Sequence, residues 1–240
     1  LGEHGLWDKQ TEFELATRVP LLIKVPWATP SVGKRFDQFV ELVDLHATLA
    51  DLAGLPATPP TALPDSVMVK QSRSFAGIFT QPSLPFKNAS FSQWPVCTKV
   101  ANASCMACTG PQSSRAVLDS MGYSIRTSEW RLTVWLPFNN TVFVAEWEAT
   151  PIAIELYDHR DAQVVLDFDA DGEHENVADQ PENAAIIAGL RDQLKAQYSY
   201  DRNWLVQRMA QMARGQAHQA IQDGYINRPS AAGPDGFLAL

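Results

Sequence analysis

The chain has 240 residues, 45% hydrophobic and 10% aromatic, and carries a formal net charge of −8. That apolar content excludes an intrinsically disordered chain and suffices for a sizeable core, in one domain or one domain with a small appendage. The acidic balance excludes a nucleic-acid partner, which needs clustered Lys and Arg.

No apolar run approaches the about eighteen residues of a membrane span. The first residues lack the basic and apolar regions of a signal peptide.

The chain opens Leu1-Gly-Glu-His-Gly-Leu-Trp-Asp-Lys-Gln10. Its histidine, its acidic residues and the lone Lys9 have the composition of an active-site segment. A fixed ammonium at Lys9 could stabilise developing anionic charge, whereas most lysines in loops are simply solvated. His4 reads as a hydrogen-bonded structural histidine in a turn, with proton relay as the alternative. Residues 19–25, Val-Pro-Leu-Leu-Ile-Lys-Val, form a continuous apolar run that predicts a buried parallel strand ended by Pro26.

Apolar Phe39, Leu42, Val43, Leu45, Leu49, Leu52 and Ala53 predict a helix stopped by Gly54, completing an α/β unit. His46 falls on its apolar face and reads as a core or boundary histidine. A proline-rich tract at 56–64 is loop. From Ala89 the period changes, and segments 89–95, 121–127, 130–135 and 153–157 predict an antiparallel sheet of about four strands. Trp94 and Trp135 read as packing residues within it. Residues 182–198, with Ile186, Ile187, Leu190 and Leu194, predict an amphipathic helix over one sheet face. A second helical pattern spans 201–218, and a loosely ordered tail follows from Asn227.

Cys97, Cys105 and Cys108 lie in one polar loop, where a local disulfide and one thiol paired elsewhere fit better than a metal site. Sequons begin at Asn88, Asn102 and Asn139. With the clustered cysteines they point to a secretory-pathway protein. An acidic run contains Asp158, Asp161, Asp167, Asp169, Asp171 and Glu173. It lacks the closing glutamate of a calcium-binding EF-hand loop and reads as a solvated turn. His159 and His174 lie in the same acidic surroundings and are expected to be exposed.

Several blocks together resemble type I sulfatases. Gly2-Glu-His-Gly-x-Trp-x-Lys9, followed by Arg18-Val-Pro-Leu-Leu-Ile23, is similar to the family segment whose lysine contacts the sulfate group. Val40-Glu-Leu-Val-Asp-Leu-x-x-Thr-Leu and Leu52-Ala-Gly-Leu-Pro56 are similar to a family helix. Ser92-Gln-Trp-Pro95, Met121-Gly-Tyr-Ser-Ile-Arg-Thr127 and the Trp130–Trp135 segment resemble the iduronate-2-sulfatase branch. Glu155-Leu-Tyr-Asp158 and Glu175-Asn-Val-Ala178 resemble the family's closing blocks. The resemblance covers residues 1 to 200 with gaps.

It implies an α/β fold of the alkaline phosphatase/sulfatase class. Residues 1–80 would be the C-terminal portion of the large domain, holding the last strands and helix of its mixed sheet. Residues 81–200 would be the small antiparallel subdomain covered by a helix, and 201–240 a helical extension with a tail. The implied activity is sulfuric ester hydrolysis on a sugar acid of a sulfated polysaccharide. Lys9 would serve as the catalytic and sulfate-contacting cation, and Lys99 as the candidate cation for the sugar carboxylate; Arg115 shares the Lys99 loop. Calcium is the implied cofactor, with its Asp-His pair expected ahead of Leu1. The implied partners are a sulfated carbohydrate and the N-terminal sulfatase portion, in a lysosomal or secreted setting.

Departures matter too. The family nucleophile sits in Cys/Ser-x-Pro-x-Arg, and here Cys97 is followed by Thr-Lys, Cys105 by Met-Ala and Cys108 by Thr-Gly. The chain by itself is therefore expected to be inactive. Two other readings stand beside the enzyme: a non-catalytic carbohydrate-binding or structural module derived from a sulfatase, and a phosphodiesterase or phosphonate hydrolase of the same superfamily.

Overall fold

The computed structural model describes residues 3–5, 11–55, 72–96, 118–141, 144–160 and 173–198. The chain divides into two compact units, Leu1–Ser199 and Tyr200–Leu240, and every described residue lies in the first. The expected helix at 201–218 and the tail lie outside the described residues.

The centre of the first unit is an antiparallel sheet of β1 (Ala89–Val96), β2 (Ser120–Thr127), β3 (Trp130–Asn139), β4 (Val144–Ala145) and β5 (Ala153–Asp158). The order is β1-β2-β3-β4, with β5 also paired to β3. The four expected strands are all present, and β4 adds a two-residue partner at the end of β3. Residues directly opposite in an antiparallel ladder share a face. Phe91, Ile125, Leu132 and Leu156 form one row across the sheet, with Tyr123, Val134 and Ile154 beside it.

Those rows make the apolar face. It is covered by helix α4 (Ala184–Tyr198), whose Leu190 and Leu194 are buried in the same cluster as Leu132, Val134 and Leu156.

The opposite face is polar yet also buried. Ser92, Ser124, Thr133 and Glu155 form its middle row, with Arg126, Arg131 and Tyr157 in the next. The chain from Thr11 to Thr17, ending in the single-turn helix α1 (Glu14–Thr17), lies against this face through its side chains. A sheet alternating apolar and polar residues is ordinarily wet on its polar side. Here that side is closed by the segment following Lys9 in sequence.

A second cluster joins Val25, Ala28, Phe75, Ile78 and Phe79 with Ile23, Phe36, Val40, Leu45 and Phe86. It is built by helix α2 (Leu42–Leu52), helix α3 (Gly77–Thr80) and the chain before them. A reciprocal capping box of Glu41 and Asp44 starts α2. Lys87 donates to Glu41 Oε2 at 2.6 Å and to Asp44 at 2.8 Å, and the Phe91 N–H donates to Glu41 Oε1 at 2.9 Å, tying α2 to the start of β1.

Two expectations fail in this region. Residues 19–25 are not a buried strand: they have no ladder partner among the described residues, and Leu22 is 89% exposed. An apolar run becomes a buried strand only when neighbouring strands accept its backbone groups, and none of the described strands does. His46 is exposed instead of core. Helix α2 buries Asp44 and Thr48 and turns Leu42 and Leu49 outward, because Asp44 is the acceptor for Lys87 and for the Arg73 N–H.

Candidate functional site

Lys9 itself, with Lys99, Arg115, Asn102 and the three cysteines, lies outside the described residues. The chain on either side of Lys9 is described. His4 has φ 52° and Gly5 φ 69°, consecutive left-handed residues, the first an uncommon conformation for a non-glycine residue. The His4 ring stacks on Phe13 at 4.0 Å with 9° between planes, and on His174 at 5.2 Å. Phe13 in turn meets Tyr157 of β5 edge-on at 5.8 Å. The structural reading of His4 thus gains a specific basis, ring stacking with Phe13 and His174.

Beyond Phe13 the contacts become ionic. Glu14 Oε2 accepts from Arg126 Nε at 3.1 Å and from Arg131 Nη2 at 2.5 Å. The Glu14 N–H donates to Glu173 Oε2 at 2.5 Å. Glu173 Oε1 accepts from Arg131 Nε and lies 3.0 Å from His159 Nε2, and His159 Nδ1 lies 2.9 Å from Arg126 Nη2. Arg131 also donates to Ser124 Oγ and Thr17 Oγ1, each at 3.2 Å. The ring Glu14–Arg126–His159–Glu173–Arg131 is thus closed. Because the arginine is a donor only, His159 Nδ1 acts as acceptor, so Nε2 carries the proton given to Glu173.

This corrects two expectations. Glu173 is 1% exposed and His159 4% exposed, not solvated. Burial is tolerated because each polar atom is matched: Glu173 uses both oxygens and His159 both nitrogens. Of the acidic run, Asp158 pairs with Arg160 at the surface, and 161–172 lie outside the described residues. His174 is exposed as expected.

Glu12 behaves differently. Its Oε2 accepts from Ser92 Oγ, while its buried Oε1 has no partner. Burial raises its pKa to about 7, with Ser92 and Arg131 opposing the rise and Glu155 adding to it. For Glu14 burial also acts upward, but Arg131 and Arg126 more than offset it and hold the carboxyl below its ordinary range. Two glutamates two residues apart therefore differ in charge preference because one has arginine partners and the other a hydroxyl.

Arg126, Arg131, Glu14 and Glu12 were not singled out by the sequence reading. The available signal was an arginine in mid-strand at Arg131, alternating with apolar Trp130, Leu132 and Val134. Trp135 packs over Gly122 and donates from Nε1 to Glu155 at 2.6 Å, which fits its expected packing role. Asn88 is exposed, and Asn139 closes β3 with its Oδ1 accepting the Thr141 N–H at 3.1 Å. Among the described residues no group of three or more His, Cys, Asp or Glu is arranged to hold a metal ion.

Residues 2–75 match the family model described as N-sulphoglucosamine sulphohydrolase, C-terminal. The chain is 30% identical over 225 residues to iduronate 2-sulfatase of Mus musculus, an alignment covering 80% of this chain and 38% of that protein. It is 31% identical over 182 residues to iduronate 2-sulfatase of Homo sapiens, covering 61% of this chain and 32% of that protein. The chain thus spans well under half the length of these relatives. A phosphonate monoester hydrolase from Silicibacter pomeroyi matches in structure with a TM-score of 0.40 and 20% identity, over 66% of this chain and 25% of that one. Residues 2–75 are thus similar to the C-terminal part of a sulfatase family, and the chain as a whole is similar in sequence to the iduronate 2-sulfatases.

Proposed function

We propose that this chain is the C-terminal portion of a sulfuric ester hydrolase that removes sulfate from a sugar acid of a sulfated polysaccharide, as an iduronate 2-sulfatase does. The observation that carries the reading is the similarity to two iduronate 2-sulfatases, extending over 80% of this chain in the mouse comparison. Lys9 is assigned to the sulfate group and Lys99 to the sugar carboxylate. Cleaving a sulfate ester builds negative charge on the sulfate and the departing oxygen. A fixed ammonium that meets this charge lowers the barrier more than it strengthens ground-state binding.

The nucleophile and the calcium ligands are assigned to the N-terminal portion. Asn88, Asn102 and Asn139 are assigned as glycan acceptors. With the clustered cysteines, they support a lysosomal or secreted setting. Among the described residues no helix is long and apolar enough to cross a membrane.

The test is Lys9→Ala in the full-length protein, assayed on a 2-sulfated iduronate disaccharide. Loss of one preorganised charge predicts a fall in kcat/KM of about a hundredfold, about 3 kcal/mol, with little change in melting temperature. Near-normal turnover in Lys9→Ala would refute the assignment of this residue. Absence of turnover in the wild-type protein would favour the non-catalytic module.

A further inference from the structure

Arg126 and Arg131 stand directly opposite each other on β2 and β3. Like charges in that relation repel, and both arginines are largely or wholly withdrawn from water. Such a pair is tolerable only if anions are supplied between and beside them. The structure supplies them from two distant places: Glu14 from the segment following Lys9, and Glu173 from the chain after β5. Both arginines converge on the same Glu14 oxygen, and Glu173 accepts the Glu14 N–H. One side chain and one backbone group of residue 14 are therefore fixed at once. Upstream, the His4 ring lies on Phe13 at 4.0 Å, so Lys9 falls in sequence between two residues in direct contact.

We propose that Glu14, Arg126, Arg131 and Glu173 are positioning residues: they hold residues 11–17, which follow Lys9 in sequence, on the polar face of the C-terminal sheet, and through that anchorage they act on the contact between the Lys9 ammonium and the sulfate. This rests on the assignment of Lys9 to sulfate. None of the four touches the reacting atoms; they act through Lys9. The clamp gives the C-terminal sheet a part in the reaction although it carries no nucleophile motif.

A double-mutant cycle in the full-length enzyme tests this, using Glu14→Gln, Lys9→Ala and the pair, with kcat and KM measured separately on a 2-sulfated iduronate disaccharide. Small misplacement of a catalytic group costs on the order of tenfold to a hundredfold. We expect Glu14→Gln to lower kcat by that factor, and the double variant to be no worse than Lys9→Ala alone. Lys195→Ala, which removes an exposed ion pair with Glu148, should leave kcat unchanged. Additive losses, or a Glu14→Gln enzyme with wild-type kcat, would overturn the proposal. Full activity in Lys9→Ala would overturn it together with the Lys9 assignment.

If Glu14→Gln does not fold, Arg126→Lys replaces it, paired with amide hydrogen exchange over residues 11–17 and 120–136. Faster exchange confined to 11–17 is the expected result, and equal acceleration in both segments would overturn the clamp. Should the wild-type enzyme show no turnover at all, the sulfatase reading falls while the exchange measurement still decides whether the segment is held.

Discussion

Replacing Glu12 by glutamine should change the stability of this protein by an amount that depends on pH in a direction opposite to most carboxylates. Glu12 is 4% exposed, one of its oxygens has no partner, and its pKa is raised from the ordinary 4.5 to about 7 by burial. A carboxyl whose folded value exceeds its unfolded value binds its proton more tightly when folded. Its contribution is fully present below the unfolded value of 4.5 and is lost as pH rises through about 7. At about 1.4 kcal/mol for each pH unit, that interval corresponds to about 3 kcal/mol. Glutamine keeps the shape and an acceptor for Ser92 but cannot ionise. Relative to wild type, Glu12→Gln should therefore be close to neutral at pH 4 and more stable by about 3 kcal/mol at pH 8. Urea denaturation at the two pH values, with linear extrapolation, reads this difference directly. A stability difference that is the same at pH 4 and pH 8 would refute the reasoning. It would mean that Glu12 ionises in the fold without hindrance, with Arg131 outweighing burial.

Gly122→Ala should destabilise the sheet by about 1–3 kcal/mol, as overpacking does. Its new β-carbon would lie 2.7 Å from the Trp135 ring, which is held by the bond to Glu155, and thermal denaturation checks this. The outward apolar residues near the N-terminus, Leu22 at 89% and Trp27 at 69% exposure, should make the 240-residue chain self-associate. Leu22→Ser combined with Trp27→Ser should lower its apparent mass in sedimentation velocity; a monodisperse wild-type monomer would refute this.

The apolar half of the small sheet was legible because its signal is local. Strict alternation in 130–135 placed Leu132 and Val134 together, and the Ile186, Leu190 and Leu194 spacing supplied the covering helix. The polar half was not legible, because alternation states which residues share a face and not what covers that face. Arg131 reads the same whether water or Glu14 lies against it. Glu173 differs from its expected exposure for a related reason: its neighbours in sequence are rich in acidic residues, while its partners lie at residues 14, 131 and 159. The run at 19–25 had a correct composition for a buried strand, but composition cannot provide the neighbouring strand. Lys9 is a candidate mainly through motif similarity and Lys99 through the place of its loop in the resembled branch, since a lysine in a loop has no periodic signature.

The hydrogen bond from the Glu14 amide to Glu173 spans 159 residues of chain. Synthesis proceeds from the N-terminus at about 5–20 residues per second, so the segment bearing Glu14 emerges many seconds before either arginine or Glu173 exists. During that interval neither the two arginines nor Glu173 is available to hold Glu14. The sheet, whose strands are joined by shorter separations, can form as soon as β5 is complete, and closure of the longest loop then comes last. A segment made well before the sheet is therefore fixed in its final place only after it. A ribosome stalled before residue 173 would leave the Glu14 amide without its Glu173 acceptor even with β1, β2 and β3 already paired.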